Sequence, residues 1–204
     1  MNYTLKAWHL AACLTAILAS ATSAVPGPQA LASMVTGGVT SQPIGHYEFC
    51  RINADECSQR FASSPAPTLT PQGWEMIEKV NTSVNERIHA MTDREVYGRE
   101  EAWAYPNDVG DCEDYALEKR RQLAAKGFSL ADLLITVVRK PDGEGHAVLT
   151  VRTAQGDFVL DNLSSEVKPW YQTSYTFLKR QASFHTGRWV SIENGRDVLV
   201  GALR

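Results

Sequence analysis

Between residues 133 and 161 three short apolar runs are separated by turns only a few residues long, and this spacing constrains the fold more than any other feature. Residues 133–139 read as a strand, Pro141-Asp-Gly-Glu-Gly145 as a turn and residues 146–152 as a second strand. Ala154-Gln-Gly-Asp157 reads as a tight hairpin turn and residues 158–161 as a third strand. Connections this short join antiparallel neighbours, because a parallel pair needs a long crossover. Two helices precede the strands. Thr70 suits a helix cap and Pro71 the first helical position, and Trp74, Ile77, Val80, Val84, Ile88 and Met91 then recur at helical spacing, which predicts a helix to about Met91. A second helix is predicted over residues 111–126, with Gly127 as its stop. Helices packed on an antiparallel sheet make an α+β domain.

The chain's ends differ from this body. In residues 1–24 Lys6 is the only charge, an apolar stretch follows it, and Thr22 and Ala24 suit a signal-peptidase site, so a secretory signal cleaved after Ala24 is expected. The apolar run is too short and too interrupted, by His9 and Thr15, for a membrane span. No stable membrane insertion is expected after cleavage, and the compartment is periplasmic or extracellular. Residues 25–46, rich in Gly, Pro, Ser, Thr and Ala, read as a flexible tether or peripheral wrap, with the folded domain occupying 47–204. Removing the signal leaves 19 basic and 23 acidic side chains, a net charge of −4. That balance supplies no cationic field for nucleic acid or an anionic membrane.

Three cysteines remain after cleavage, at positions 50, 57 and 112. In an oxidising compartment two should pair and one should stay a thiol. Cys50 and Cys57 close a short loop and form the natural pair, leaving Cys112 free; the rival assignment, buried free cysteines in a reducing cytosol, fails if the signal is real.

Cys112 falls in the first turn of the second predicted helix, in Gly110-Asp-Cys-Glu-Asp114. The partial positive charge and free amides of a helix N-terminus favour a thiolate and can receive an oxyanion. The flanking carboxylates oppose this, and a small buried hydrophobe is the plainer account of the same cysteine. A nucleophilic cysteine needs a base, and the base an orienting partner. His146 heads the second strand and Asp161 ends the third, and an antiparallel hairpin brings those two ends together. A loop-edge histidine and a strand-ending Asp-Asn turn explain them equally well.

The blocks Gly110-Asp-Cys-Glu-Asp-Tyr-Ala116, Gly145-His-Ala-Val-Leu149 and Leu160-Asp-Asn-Leu163 together resemble the Cys, His and Asp blocks of the bacterial transglutaminase-like cysteine peptidases, a family of LapG-like periplasmic proteases. The resemblance covers roughly residues 47–180. It implies a papain-like fold of the transglutaminase kind, with the catalytic Cys at a helix N-terminus packed on an antiparallel sheet that carries His and Asp. It further implies a thiol protease with Cys112, His146 and Asp161 as its catalytic residues, and peptide-bond hydrolysis through an acyl-enzyme. The implied partner is a protein substrate in the periplasm or at the cell surface, with a surface adhesin as one candidate. It also implies calcium, for which the matching carboxylates are Asp111 and Glu113; hard oxygen ligands suit that ion. Asp111 as a helix cap, with Asp114 as its reciprocal partner, explains the same acids without a metal. No Cys/His cluster with zinc spacing is present. Transfer of the acyl group to an amine, and a binding module that has lost turnover, are the competing functions.

Overall fold

The computed structural model describes Met1 and residues 33–195. Apart from Met1, the expected signal segment lies outside the described residues. A seven-stranded sheet, antiparallel throughout, is formed by β1 (Thr36–Thr40), β4 (Leu133–Arg139), β5 (Gly145–Thr153), β6 (Gly156–Asp161), β7 (Ser164–Pro169), β8 (Thr176–Ala182) and β9 (His185–Ile192), in the spatial order β1-β9-β8-β4-β5-β6-β7. A two-residue parallel pair, β2 (His89–Ala90) and β3 (Val109–Gly110), stands apart from it. The helices are α1 (Ile44–Ile52), α2 (Ala54–Cys57), α3 (Pro71–Arg87), α4 (Asp93–Tyr97) and α5 (Cys112–Ala125). None of the described helices is long and apolar enough to cross a membrane.

α3 and α5 pack together on one face of the sheet. Ile77, Val80 and Val84 of α3 meet Tyr115, Leu117 and Leu123 of α5 over Leu149, Val151 and Leu160 of the strands. Period-two alternation sends Val148 and Val159 to the other face, where they pack with Met34, Trp170 and Phe177. On that face the hydroxyls of Thr136 and Thr150 bond each other at 2.6 Å, so neither is left unpaired in the core. The start of α3 is as expected, since Thr70 Oγ1 accepts the Gly73 N–H at 3.1 Å and Pro71 opens the helix. Gly127, at φ 95°, ends α5 in a conformation glycine tolerates best.

Two boundaries differ from the sequence expectation. Residues 25–46 do not remain a tether throughout: Thr36–Thr40 pairs with β9, and Gly45 and His46 are buried in the first turn of α1. The strand Thr-Gly-Gly-Val-Thr carries no apolar alternation, because it is an edge held by its backbone ladder. The chain just ahead of it is anchored by Met34, whose N–H donates to Asp157 at 2.7 Å. α3 also stops at Arg87. Ile88 turns extended while its N–H still reaches Val84, so His89 lies in a short strand beyond the helix. Cys50 and Cys57 form the expected disulfide, joining α1 to the end of α2, and Cys112 is the free cysteine among the described residues.

Candidate active site

The block around Cys112 begins with a glycine for a packing reason. A Cβ at Gly110 would lie 2.7 Å from Asp114 Oδ2, so this position must stay bare for the start of α5 to close against it. Asp114 is not a reciprocal cap. Its Oδ1 accepts the Ala104 N–H at 2.8 Å, which ties the helix start to the segment carrying Trp103. Burial is the main reason its carboxyl is raised to about 7. Asp111 occupies the N-cap position but makes no side-chain capping bond, so its carboxylate is turned to another use and the first amides of α5 keep no side-chain acceptor from it.

The Cys112 thiol donates to Glu113 Oε2 at 3.0 Å and accepts the Ala147 N–H at 3.3 Å. The second contact sets the sulfur against the residue that follows His146. Cys112, His146, Trp103, Ile44, Glu101 and Lys179 line one cavity of about 390 Å³. A cavity of the same size beside Met76 and Phe128 contains none of the candidate residues. Burial, and then the charge of Glu113, pushes the thiol pKa up, so Cys112 is a neutral thiol here.

Leu149 of β5 pairs with Leu160 of β6, and this register carries His146 to the level of the turn after Asp161. His146 Nε2 lies 2.9 Å from Asp161 Oδ1. Since the carboxylate accepts, Nε2 carries the proton and Nδ1 is left as the basic nitrogen. Asp161 Oδ1 also accepts the Leu163 N–H at 3.0 Å, and Tyr175 Oη donates to Oδ2 at 2.5 Å. Burial alone would raise this carboxyl, but the bonds from His146 and Tyr175 outweigh it and hold the pKa below the usual range. From the helix side, Asn85 Nδ2 donates to the Asp161 carbonyl at 2.8 Å and to that of Ser164 at 3.1 Å.

Asp93, Asp111 and Glu113 each direct a carboxylate oxygen into a group whose members lie within 4.8 Å of one another. Asp111 Oδ1 is buried with no hydrogen-bond partner. Burial comes first, and the neighbouring acids add to it, in raising the Asp93 and Glu113 carboxyls; burial also raises Asp111. Three converging acids, one of them with an orphaned buried oxygen, fit a hard divalent cation. Asp93 has no signal in the sequence blocks. It sits in a Thr92–Glu95 capping box and reads as an ordinary helix start. Tyr175 and Asn85 also fall outside those blocks, and only the fold brings them to Asp161.

A family model matches residues 36–197, described as the bacterial transglutaminase-like cysteine proteinases. No curated protein matches the chain. Among solved structures, calcium-bound LapG of Legionella pneumophila is similar at 22% identity, with a TM-score of 0.50 over 67% of this chain and 83% of that one. The EGTA-treated form of the same protein is similar at 23% identity and a TM-score of 0.50, over 65% and 76% of the two chains. The mixed helical and antiparallel fold read from the sequence is therefore also the fold of these structures.

Proposed function

Because this chain belongs to the bacterial transglutaminase-like cysteine proteinases, we propose that it is an exported peptidase that hydrolyses a periplasmic or cell-surface protein with Cys112 as nucleophile, His146 as base and Asp161 as the orienting carboxylate. The supporting observation is the contact of Ala147 N–H with Cys112 Sγ at 3.3 Å, beside a His146–Asp161 pair at 2.9 Å. A thiol at a helix start and an imidazole whose Nε2–H is committed elsewhere then share one cavity.

In this reading His146 Nδ1 takes the thiol proton as Cys112 Sγ bonds to the scissile carbonyl carbon. The carbonyl oxygen becomes an oxyanion against the first amides of α5. The C–N bond breaks as His146 returns the proton to the leaving amine, and water, deprotonated by the same nitrogen, releases the acyl group. Throughout, Asp161 keeps Nε2 protonated and turned away from the thiol. Trp103 and Ile44 give the cavity an apolar wall for a substrate side chain.

The same reading includes calcium, the ion named in the relative's calcium-bound structure. Asp93, Asp111 and Glu113 would hold it, and its positive charge would neutralise the carboxylates that keep Cys112 a thiol.

Alkylation of Cys112 by iodoacetamide from about pH 4 to about pH 9, with calcium or with a chelator, tests this. Fast labelling near neutral pH that collapses in His146→Ala is expected, as is slower labelling under chelation. Labelling that follows an ordinary thiol profile in both proteins would show that Cys112 and His146 do not act together.

A further inference from the structure

Asp161 holds His146 with only one of its oxygens. Oδ1 takes both His146 Nε2–H and the Leu163 N–H, whereas Oδ2 faces Tyr175 Oη at 2.5 Å. The terminal torsion of an aspartate is broad, and a half-turn exchanges its oxygens, so bonds on Oδ1 alone leave the carboxylate plane weakly fixed. A donor on the second oxygen removes that freedom. The Tyr175 ring also meets the His146 ring at 5.5 Å, edge to face at 63°, beside the imidazole that Asp161 holds. Tyr175 lies between Trp170–Gln172 and β8, outside all three sequence blocks.

We propose that Tyr175 is a positioning residue of this site: its hydroxyl locks the Asp161 carboxylate, and through it the Nε2–H tautomer and orientation of His146. This rests on the reading of His146 as base and Asp161 as its orienter. Burial, followed by the bond to Asp161, raises the phenol pKa, so Tyr175 stays a donor wherever the enzyme would work. The other ionisable groups facing the pair are Cys112, Glu113 and Lys119 of α5, Glu101, and Lys179 of β8, and all of them are kept in a Tyr175 variant.

The test is a long-range proton–nitrogen NMR titration of the histidine rings in the calcium-loaded mature chain, comparing the parent with Tyr175→Phe and Asp161→Asn. Tyr175→Phe keeps the ring contact and deletes only the hydroxyl. One donor fewer leaves more carboxylate charge on the imidazolium, so the His146 midpoint should rise by about half a unit, with its ring nitrogens averaging between tautomers. A merely structural tyrosine would lower the melting temperature and leave both signals unchanged, and that result overturns the inference. Asp161→Asn should lower the midpoint. If it does so while Tyr175→Phe changes nothing, only the role of Tyr175 falls; if neither variant moves His146, the assignment of Asp161 falls, and this inference with it. Replacing Tyr175 by 3-fluorotyrosine, a stronger donor, should shift the midpoint downward, and no shift there also counts against the proposal should the Phe variant not fold.

Discussion

Asp111 and Glu113 bracket Cys112 in the chain and bring their carboxylates within 4.8 Å of each other, with Asp93 completing the group. A helix N-terminus tolerates negative charge, but three acids converging there exceed what one dipole offsets. The excess is visible in Asp111, whose oxygen has no partner, and in the thiol, which donates to Glu113.

Asp111→Asn separates the two roles of this cluster. In chelator it should raise stability by about 1 kcal/mol, because one buried repulsion is gone. In calcium the order should reverse, since a site at one hundred times its dissociation constant adds about 2.7 kcal/mol to the parent that the variant forfeits. Thermal unfolding with and without EGTA measures both. A parent whose melting temperature ignores calcium would remove the metal from the reading.

Asn85 and Asn81 clamp the turn after Asp161 from one face of α3, but only Asn85 reaches the Asp161 carbonyl; Asn81 holds those of Ser164 and Ser165. Replacing either by Ala should cost about 1 kcal/mol, the usual effect of losing part-buried hydrogen bonds. Only Asn85→Ala should also slow Cys112 alkylation, by roughly threefold, as expected for about 0.6 kcal/mol of lost positioning. Equal slowing in both variants would mean that the whole turn, and not Asp161, matters.

What the sequence revealed and what it concealed follows from the range of the forces involved. The hairpin placing His146 near Asp161 is local: turn length fixes the pairing, and the register Leu149 to Leu160 follows from it. The start of α5 was legible for the same reason. Asp93, Asn85 and Tyr175 were not, because each reaches the site from a different element and carries only a local signature of its own, a capping box for Asp93 and an ordinary helical polar position for Asn85. Thr36–Thr40 was missed because an edge strand needs only a backbone partner, and β9 lies at the far end of the chain. For Asp111 the sequence left a calcium ligand and a helix cap side by side, because the residue stands at the cap position, and only its side-chain direction shows that it makes no capping bond.

Lys119 is fully buried, its amine has no hydrogen-bond partner, and it lies 5.9 Å from the centre of the Tyr115 ring. Burial lowers its pKa to about 7, against the attraction of Asp161. The unfolded chain takes up this proton below about 10.5 and the folded chain only below about 7, so between those values the unfolded state binds more protons and stability rises with pH. The cost is therefore full below about pH 7 and fades above it. Lys119→Met should stabilise the protein by about 2 kcal/mol at neutral pH, with the gain shrinking toward pH 10. Denaturant unfolding across that range measures it, and a gain independent of pH would show that packing, and not charge, is the cause.

His46 follows the same sign in a more acidic window. Its ring is 1% exposed, with Trp189 Nε1–H donating to Nδ1 at 3.1 Å and Gln181 Nε2 the same distance from its Nε2. Burial, followed by the charge of Arg120, lowers its pKa to about 3. The unfolded chain protonates this ring below about 6.5 and the folded chain only below about 3, so its contribution is whole above the first value and lost as the pH falls toward the second. Asp114 and Glu113 act with the reverse sign, because their raised carboxyls favour folding as the pH falls, and the slope of the parent alone is therefore a mixture. Subtracting His46→Gln cancels the acids, which the two proteins share. The variant should be about 2 kcal/mol less stable at pH 7, and the gap should close as the pH approaches 4. A constant gap would mean that His46 enters the acid-unfolded chain without gaining a proton, which would contradict its burial as a neutral ring.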